Sequence, residues 1–223
     1  CTTVCPEKLD PQDWFLSLRR TAVREGQKDL KKYSTILGYE KKGTSPLFSF
    51  YAFPKDCDTI FFPGCNLPGT RPQTTWKLFQ YLRKERPSLG IVLDCCTKPS
   101  HDLGRQGYFE SMFGELLDFL KKNGIKQVWL ACPNCHKVFS TYGKGIKVAS
   151  VYEIMADRGG PDVPDQGSDS FGKMAIHDPC PMRNATGAQD SVRRLIDQMN
   201  LTLGKTAFTG KKTLCCGEGG SVG

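Results

Sequence analysis

No stretch of this 223-residue chain approaches the roughly 18–20 consecutive apolar residues that a helix needs to span a bilayer. The pattern of a secretory leader, with a basic start, an apolar run and a small-residue cleavage site, is also missing. No Lys-Ser/Thr pair follows the glycines Gly217, Gly219, Gly220 and Gly223, which argues against a phosphate-binding loop. The net charge is +8, and lysines cluster at Lys28, Lys31 and Lys32, at Lys41 and Lys42, and at Lys211 and Lys212. No aromatic-interleaved motif accompanies them, so a solvated basic face is expected and no nucleic-acid partner.

What is there begins with core material. The chain is 39% hydrophobic and has thirteen Phe, seven Tyr and three Trp, enough for one large domain or two medium ones. Its anomaly is eleven cysteines, including two adjacent Cys-Cys pairs and one Cys-x-x-Cys. Neighbouring cysteines rarely bridge each other, because a disulfide wants its α-carbons further apart than the about 3.8 Å of one trans peptide. The pattern suits metal better than disulfides, and a reducing, cytoplasmic compartment follows. The chain opens on Cys1 and ends on Gly220-Ser221-Val222-Gly223 within a glycine-rich loop, so it reads as a piece of a longer protein.

Asp10-Pro11 signals a helix start, with the helix running through Trp14, Leu18 and Ala22 to about Gly26. Residues 27–57 are basic and mixed, and read as a linker with at most a short helix. From Thr59 the pattern alternates. Strands are expected at Thr59–Phe62, Gly90–Leu93, Val128–Ala131 and Ile146–Ala149. Helices are expected at 73–85, with Trp76, Phe79 and Leu82 inward, and at 108–122, with Phe109, Phe113, Leu116, Leu117 and Leu120 on one stripe. Strands separated by helices imply βαβ units, a parallel sheet and an α/β fold. Residues 159–172, rich in Gly, Pro, Asp and Ser, mark a boundary. A second unit follows, with a strand at Met174–His177, a helix near 189–200, and Thr213-Leu214 leading into Cys215-Cys216. The expected division is 1–26, linker 27–57, a first unit 58–158 and a second unit 173–223.

The placement of the cysteines carries the argument. Cys65 follows the first strand, Cys95 and Cys96 the second, and Cys132 the third, while Cys135 opens the next helix. The carboxyl ends of parallel strands share one edge of the sheet, and ligands bind in the crevice there. Residues up to 70 positions apart in sequence are thus expected to meet. Clustered thiolates select zinc, copper or iron–sulfur. Structural zinc takes four ligands; five candidates with a vicinal pair suit a multi-iron cluster better, and zinc stays as the alternative. Cys180 and Cys215-Cys216 repeat the lone Cys and Cys-Cys pattern at a separation of 35 residues, against 30 in the first unit. A closing Cys-x-x-Cys would fall beyond Gly223, so the internal repeat is cut short.

Phe62-Pro63-Gly64-Cys65, Asp94-Cys95-Cys96-Thr97-Lys98-Pro99, Ala131-Cys132-Pro133-Asn134-Cys135, His177-Asp178-Pro179-Cys180 and Leu214-Cys215-Cys216-Gly217 resemble the motifs of the CCG cysteine-rich domain over about residues 58–223. That domain occurs in heterodisulfide reductase subunits B and D and in the iron–sulfur subunits of glycolate oxidase and anaerobic glycerol-3-phosphate dehydrogenase. Thr97 departs from the family, which usually has glycine there. The resemblance implies two repeated Rossmann-like CCG units with parallel sheets. It implies a non-cubane [4Fe-4S] cluster on Cys65, Cys95, Cys96, Cys132 and Cys135, and a second site begun by Cys180, Cys215 and Cys216. Cys1-Thr2-Thr3-Val4-Cys5-Pro6 matches the end of a ferredoxin run. Joined to a CCG domain it implies a ferredoxin-like segment in which Cys1 and Cys5 ligate cubane clusters.

Further candidates are weaker. His136 and His177 adjoin cysteines, and each is a candidate to hydrogen-bond cluster sulfur or move a proton. Lys98, Arg105 and Arg183 are candidates to offset cluster charge or hold an anion. Cys57 fits no motif and reads as a free, partly buried thiol, and His101 as a solvated residue beside Asp102. The functional expectation is an oxidoreductase like heterodisulfide reductase, fed by a flavin-containing or ferredoxin-like partner. The alternatives are an electron-transfer subunit of a hydroxy-acid or glycerol-3-phosphate dehydrogenase, peripheral at the cytoplasmic membrane face and feeding quinone, or a zinc-stabilised binding module.

Overall fold

A computed structural model describes residues 5–7, 9–160 and 172–217. Helix α1 spans Pro11–Arg24; the Asp10 side chain accepts the Gln12 N–H at 2.9 Å, and Pro11 fills the first position, where no N–H is needed. The segment read as a linker carries elements of its own. A 3-10 turn covers Leu30–Tyr33, helix α2 covers Ser34–Gly43, and strand β1 covers Phe50–Ala52.

The alternating region follows: β2 (Thr59–Phe62), α3 (Asn66–Thr70), α4 (Pro72–Glu85), β3 (Gly90–Leu93), α5 (Lys98–Leu103), α6 (Gln106–Lys122), β4 (Gln127–Leu130), α7 (Pro133–Tyr142), β5 (Lys147–Ser150) and α8 (Val151–Asp157). The five strands form one sheet in the order β1-β3-β2-β4-β5. All pairings are parallel except β1 with β3, where Tyr51 lies opposite Val92 in antiparallel register. The fold is therefore α/β with a mostly parallel sheet. The chain steps from β2 outward to β3, then back to the other side of β2 for β4 and β5. That reversal leaves a crevice beyond the carboxyl ends of β2 and β4.

Both faces of the sheet are covered, which is why its strands read as unbroken apolar runs. Ile60, Phe62, Val92, Val128 and Leu130 pack under α6 and α7 against Phe109, Phe113, Leu116, Leu120 and Phe139. Phe61, Ile91 and Trp129 point the other way, toward Phe79, Leu82 and Val151 of α4 and α8. Trp76 is not inward as the helical pattern implied. It is 55% exposed, because the buried stripe of α4 runs through Thr75, Phe79 and Leu82 and leaves Trp76 at its border.

The second unit is smaller. The strand expected at Met174–His177 is only β6, Lys173–Met174, which pairs in parallel with β7, Thr202–Leu203, across α9, Thr186–Gln198. Helix α9 lies against α8, tied by Gln198 donating to the Ala156 carbonyl at 2.9 Å and by Arg194 to Asp157 at 2.9 Å. No helix among the described residues is long and apolar enough to cross a membrane.

Candidate metal centre at the sheet edge

The strand ends deliver the first-unit cysteines to one place. Cys65 leaves β2, Cys95 and Cys96 leave β3, and Cys132 leaves β4 as the N-cap of α7, whose third residue is Cys135. The Cys95 thiol donates to the Cys65 sulfur at 3.7 Å. The Cys135 thiol, in turn, bonds to the sulfurs of Cys132 and Cys96. Cys95, Cys96 and Cys135 are buried, and Cys65 and Cys132 partly so.

Two glycines make room for them. Gly64 adopts φ +80, and a Cβ there would stand 3.0 Å from both the Cys132 Cβ and the Cys135 sulfur. At Gly43, the last residue of α2, a Cβ would meet Cys95 Cβ at 3.1 Å and Cys65 Cβ at 3.3 Å. A side chain at either position would crowd the thiols.

Electrostatics divide the five. Cys132 is pulled down to about 6, chiefly by the Cys135 thiol donating to it. The N–H groups of Cys135 and Asn134 at the start of α7 add to this, as does the charge of Lys98. Cys135 is pushed up by holding the proton it shares with Cys132 and Cys96, and by burial. Cys65 is lowered by the thiol of Cys95, which is raised in return. Cys65 and Cys132 are thus the more readily ionised sulfurs of the set, and thiolates of this kind are the donors that iron–sulfur or another thiophilic metal needs. Among the described residues no His, Cys, Asp or Glu group has the arrangement of a preformed single-ion site. Five soft donors, approached closely by the backbone at Gly43 and Gly64, fit a group larger than one ion.

The segment before the alternating region builds much of the wall. Tyr39 on α2 donates to the Cys65 carbonyl at 3.0 Å. Glu40, fully buried, accepts from the Ser100 N–H at 2.9 Å and from the Ser100 hydroxyl, with Arg105 at 3.7 Å, and so anchors α5. Tyr51 of β1 donates to Asp94, which accepts the Cys95 N–H at 2.6 Å. Only Asp94 had a signal in the sequence, its place before the vicinal pair; the polar segment carrying Tyr39, Glu40 and Gly43 had none.

The other candidates fall out unevenly. His101 is not solvated: its side chain is 13% exposed, with Nδ1 2.9 Å from Asp102 and Nε2 2.7 Å from the Tyr142 hydroxyl. Asp102 also pairs with Lys98. Arg105 bonds Ser100 and stacks over Tyr108, so it supports α5. Arg183 donates to the carbonyls of Lys211 and Thr213 and steadies the approach to Cys215. His136 bonds Ser140 at 3.4 Å, and burial lowers its pKa. Cys57 stands apart and donates to the Thr59 carbonyl at 3.3 Å. Cys5 is half-buried in a loop before α1, while Cys1 lies outside the described residues, as do Gly219, Gly220 and Gly223.

The second-unit cysteines also meet. The Cys180 thiol bonds to Cys215 and feels the charge of Cys216; burial and these neighbours raise it, while Lys98 opposes the rise. Lys98 therefore acts on both Cys132 and Cys180. Asp178 holds this end together. Its carboxylate takes both guanidinium nitrogens of Arg193, at 3.0 and 2.7 Å, and the Gly210 N–H at 2.6 Å, and its carbonyl accepts from the Thr213 hydroxyl at 2.6 Å. Between the units lies a cavity of about 190 Å³, walled by Pro133 and Tyr152 on one side and by His177, Asp178, Pro179 and Met182 on the other.

No curated protein and no solved structure matches the chain. A family model for the CCG cysteine-rich domain matches residues 59–140 and again 174–223, which together are more than half of the chain and contain both cysteine sets. With its thiols gathered at the carboxyl edge of a parallel sheet and the match repeated over the second unit, the chain belongs to the cysteine-rich CCG domain family.

Proposed function

We propose that this chain is the iron–sulfur redox unit of an oxidoreductase of the heterodisulfide reductase type. Cys65, Cys95, Cys96, Cys132 and Cys135 hold a [4Fe-4S] cluster, and Cys180, Cys215 and Cys216 begin a second. A bound cluster supplies single electrons. The observation that carries the reading is the convergence of five thiols on one crevice, with the backbone at Gly43 and Gly64 packed close beside them.

The substrate class is a disulfide, reduced by two electrons and two protons to two thiols. The cavity between Pro133 and Pro179, residues adjacent to Cys132 and Cys180, is mostly apolar and of a size for the carbon arm of a small thiol. The polar residues in its wall are Tyr152, His177, Asp178 and Gln189, and of these His177 is the one suited to steady a thiolate product. Lys98, held by Asp102, contributes positive charge toward both cysteine sets and offsets the negative charge that reduction adds. Electrons enter from a flavin-containing or ferredoxin-like partner through cubane clusters at the Cys1 and Cys5 end. The protein works in the cytoplasm.

The test uses full-length protein purified without oxygen. Iron and acid-labile sulfide near four each per complete cysteine set, with a matching EPR signal on reduction, support the reading; about two irons or fewer, or zinc in their place, overturns it. Turnover of small mixed disulfides with a chemical electron donor supports the reductase assignment. A cluster-replete protein that reduces none of them is an electron-transfer subunit instead, passing electrons from a dehydrogenase flavin toward a quinone-linked partner.

A further inference from the structure

Thr97 directly follows the vicinal pair Cys95-Cys96, and its backbone has φ 53 and ψ 26, the left-handed region. A β-branched residue is strained there, because its two γ atoms crowd the backbone on either side. The other described non-glycine residues with positive φ are Asp56 and Asn200, types that enter this region readily. Thr97 is fully buried, and its hydroxyl has no hydrogen-bond partner. Buried hydroxyls are almost always satisfied, so an unsatisfied one asks for an explanation.

The backbone of Thr97 has clear work. Its N–H donates to the Cys95 sulfur, and its carbonyl accepts the His101 N–H at 3.2 Å as α5 begins. Glycine would do both without strain, and the same crevice uses glycine at positions 43 and 64 where the backbone needs freedom or space. If the site needed only bulk, an apolar side chain would fill it without burying a polar atom. The side chain therefore combines strain with an unused donor at the residue next to two thiols.

We propose that the Thr97 hydroxyl is a hydrogen-bond donor reserved for sulfur of the iron–sulfur cluster held by the first cysteine set, and that it raises the reduction potential of that cluster. The inference rests on the iron–sulfur reading above. A donor to cluster sulfur stabilises the reduced, more negative state more than the oxidised one, which is how such bonds tune potential. Thr97 is thus a positioning and tuning residue, and in the metal-free protein its hydroxyl has nothing to donate to.

The experiment compares wild type, Thr97→Ser, Thr97→Val and Thr97→Gly in the full-length protein. It reads iron content, the midpoint potential of the first cluster by EPR-monitored titration, and the melting temperature of the metal-free form. Metal-free Thr97→Gly should melt close to wild type, because the strain and the unpaired hydroxyl go while a buried methyl and the stiffer unfolded chain are lost. Its loaded cluster should be harder to reduce, by about a tenfold shift in the equilibrium, or about 59 mV for one electron. Thr97→Val should lower the potential alike, and Thr97→Ser should keep it. Wild-type potential in fully loaded Thr97→Val and Thr97→Gly overturns the inference and leaves the iron–sulfur reading standing. So does a metal-free Thr97→Val that melts well below wild type, since the hydroxyl would then be bonded within the protein. Absence of iron from the wild type overturns the iron–sulfur reading, and this inference with it.

Discussion

Gly64 connects backbone conformation to the cysteine crevice, and replacing it with alanine separates two costs. The first is conformational. At φ +80 an L-residue pays about 1–2 kcal/mol that glycine does not. The second is steric. The added methyl stands 3.0 Å from Cys132 Cβ and from the Cys135 sulfur, a contact tight enough that one must move, and overpacking of this kind costs about 1–3 kcal/mol. Alanine recovers about 0.4–1 kcal/mol by stiffening the unfolded chain. The net is about 3 kcal/mol, which for a chain of this size lowers the melting temperature by roughly 6–12 °C. Gly124→Ala is the control, since Gly124 has φ +75 and open space where its Cβ would go. It should pay only the conformational cost and lose roughly 2–4 °C. Thermal melts of the metal-free proteins, followed by circular dichroism, read both. Iron content after anaerobic loading reads the consequence, because Gly64→Ala fills the space between the two cysteines of α7 and its cap, and Gly124→Ala touches nothing there. Equal melting losses in the two variants, or full iron in Gly64→Ala, would refute the claim that Gly64 is there to let the backbone pass close to Cys132 and Cys135.

In the metal-free, reduced protein Cys132 should be alkylated by iodoacetamide with a rate that rises through about pH 6 and levels off above it, as followed by peptide mass spectrometry. Cys135→Ala should move that midpoint upward, since it removes the thiol that does most to stabilise the thiolate. Asp178→Ala should destabilise the second unit by about 3 kcal/mol near neutral pH, because Arg193, the Gly210 N–H and the turn before Cys215 lose their partner. The sign with pH follows from the lowered Asp178 carboxyl, depressed chiefly by its hydrogen bond to Arg193. Its stabilisation is present above the ordinary aspartate value of about 3.9 and is lost as pH falls through the depressed folded value. The gap in melting temperature between wild type and Asp178→Ala should therefore close below about pH 4; a gap that persists would show that charge is not what Asp178 contributes.

Local pattern determined a good deal by itself. The runs Ile60–Phe62 and Ile91–Leu93 are apolar at every position because both faces of their strands are covered, and no solvent face was available to break the run. The stripe from Phe109 to Leu120 likewise named the buried face of α6. Cysteines placed just after such runs were bound to share the sheet's carboxyl edge, since a parallel sheet admits no other arrangement. What the sequence left open was decided by partners distant along the chain. The basic segment 27–57 has no strong period of its own, yet β1 pairs with β3 and α2 ends on Gly43 against Cys65 and Cys95, because the crevice offered them hydrogen bonds and space. His101 became buried against Phe109 and against Tyr142, 41 residues later, and Trp76 was left outside because Thr75 took the inward position. The second-unit strand shortened to Lys173–Met174, exposed on both residues, with only two partners in β7 to hold it. Spacing alone brought the cysteines to one edge of the sheet; the walls that make that edge a site, from Glu40 to Thr97, came from contacts that exist only once the chain is folded.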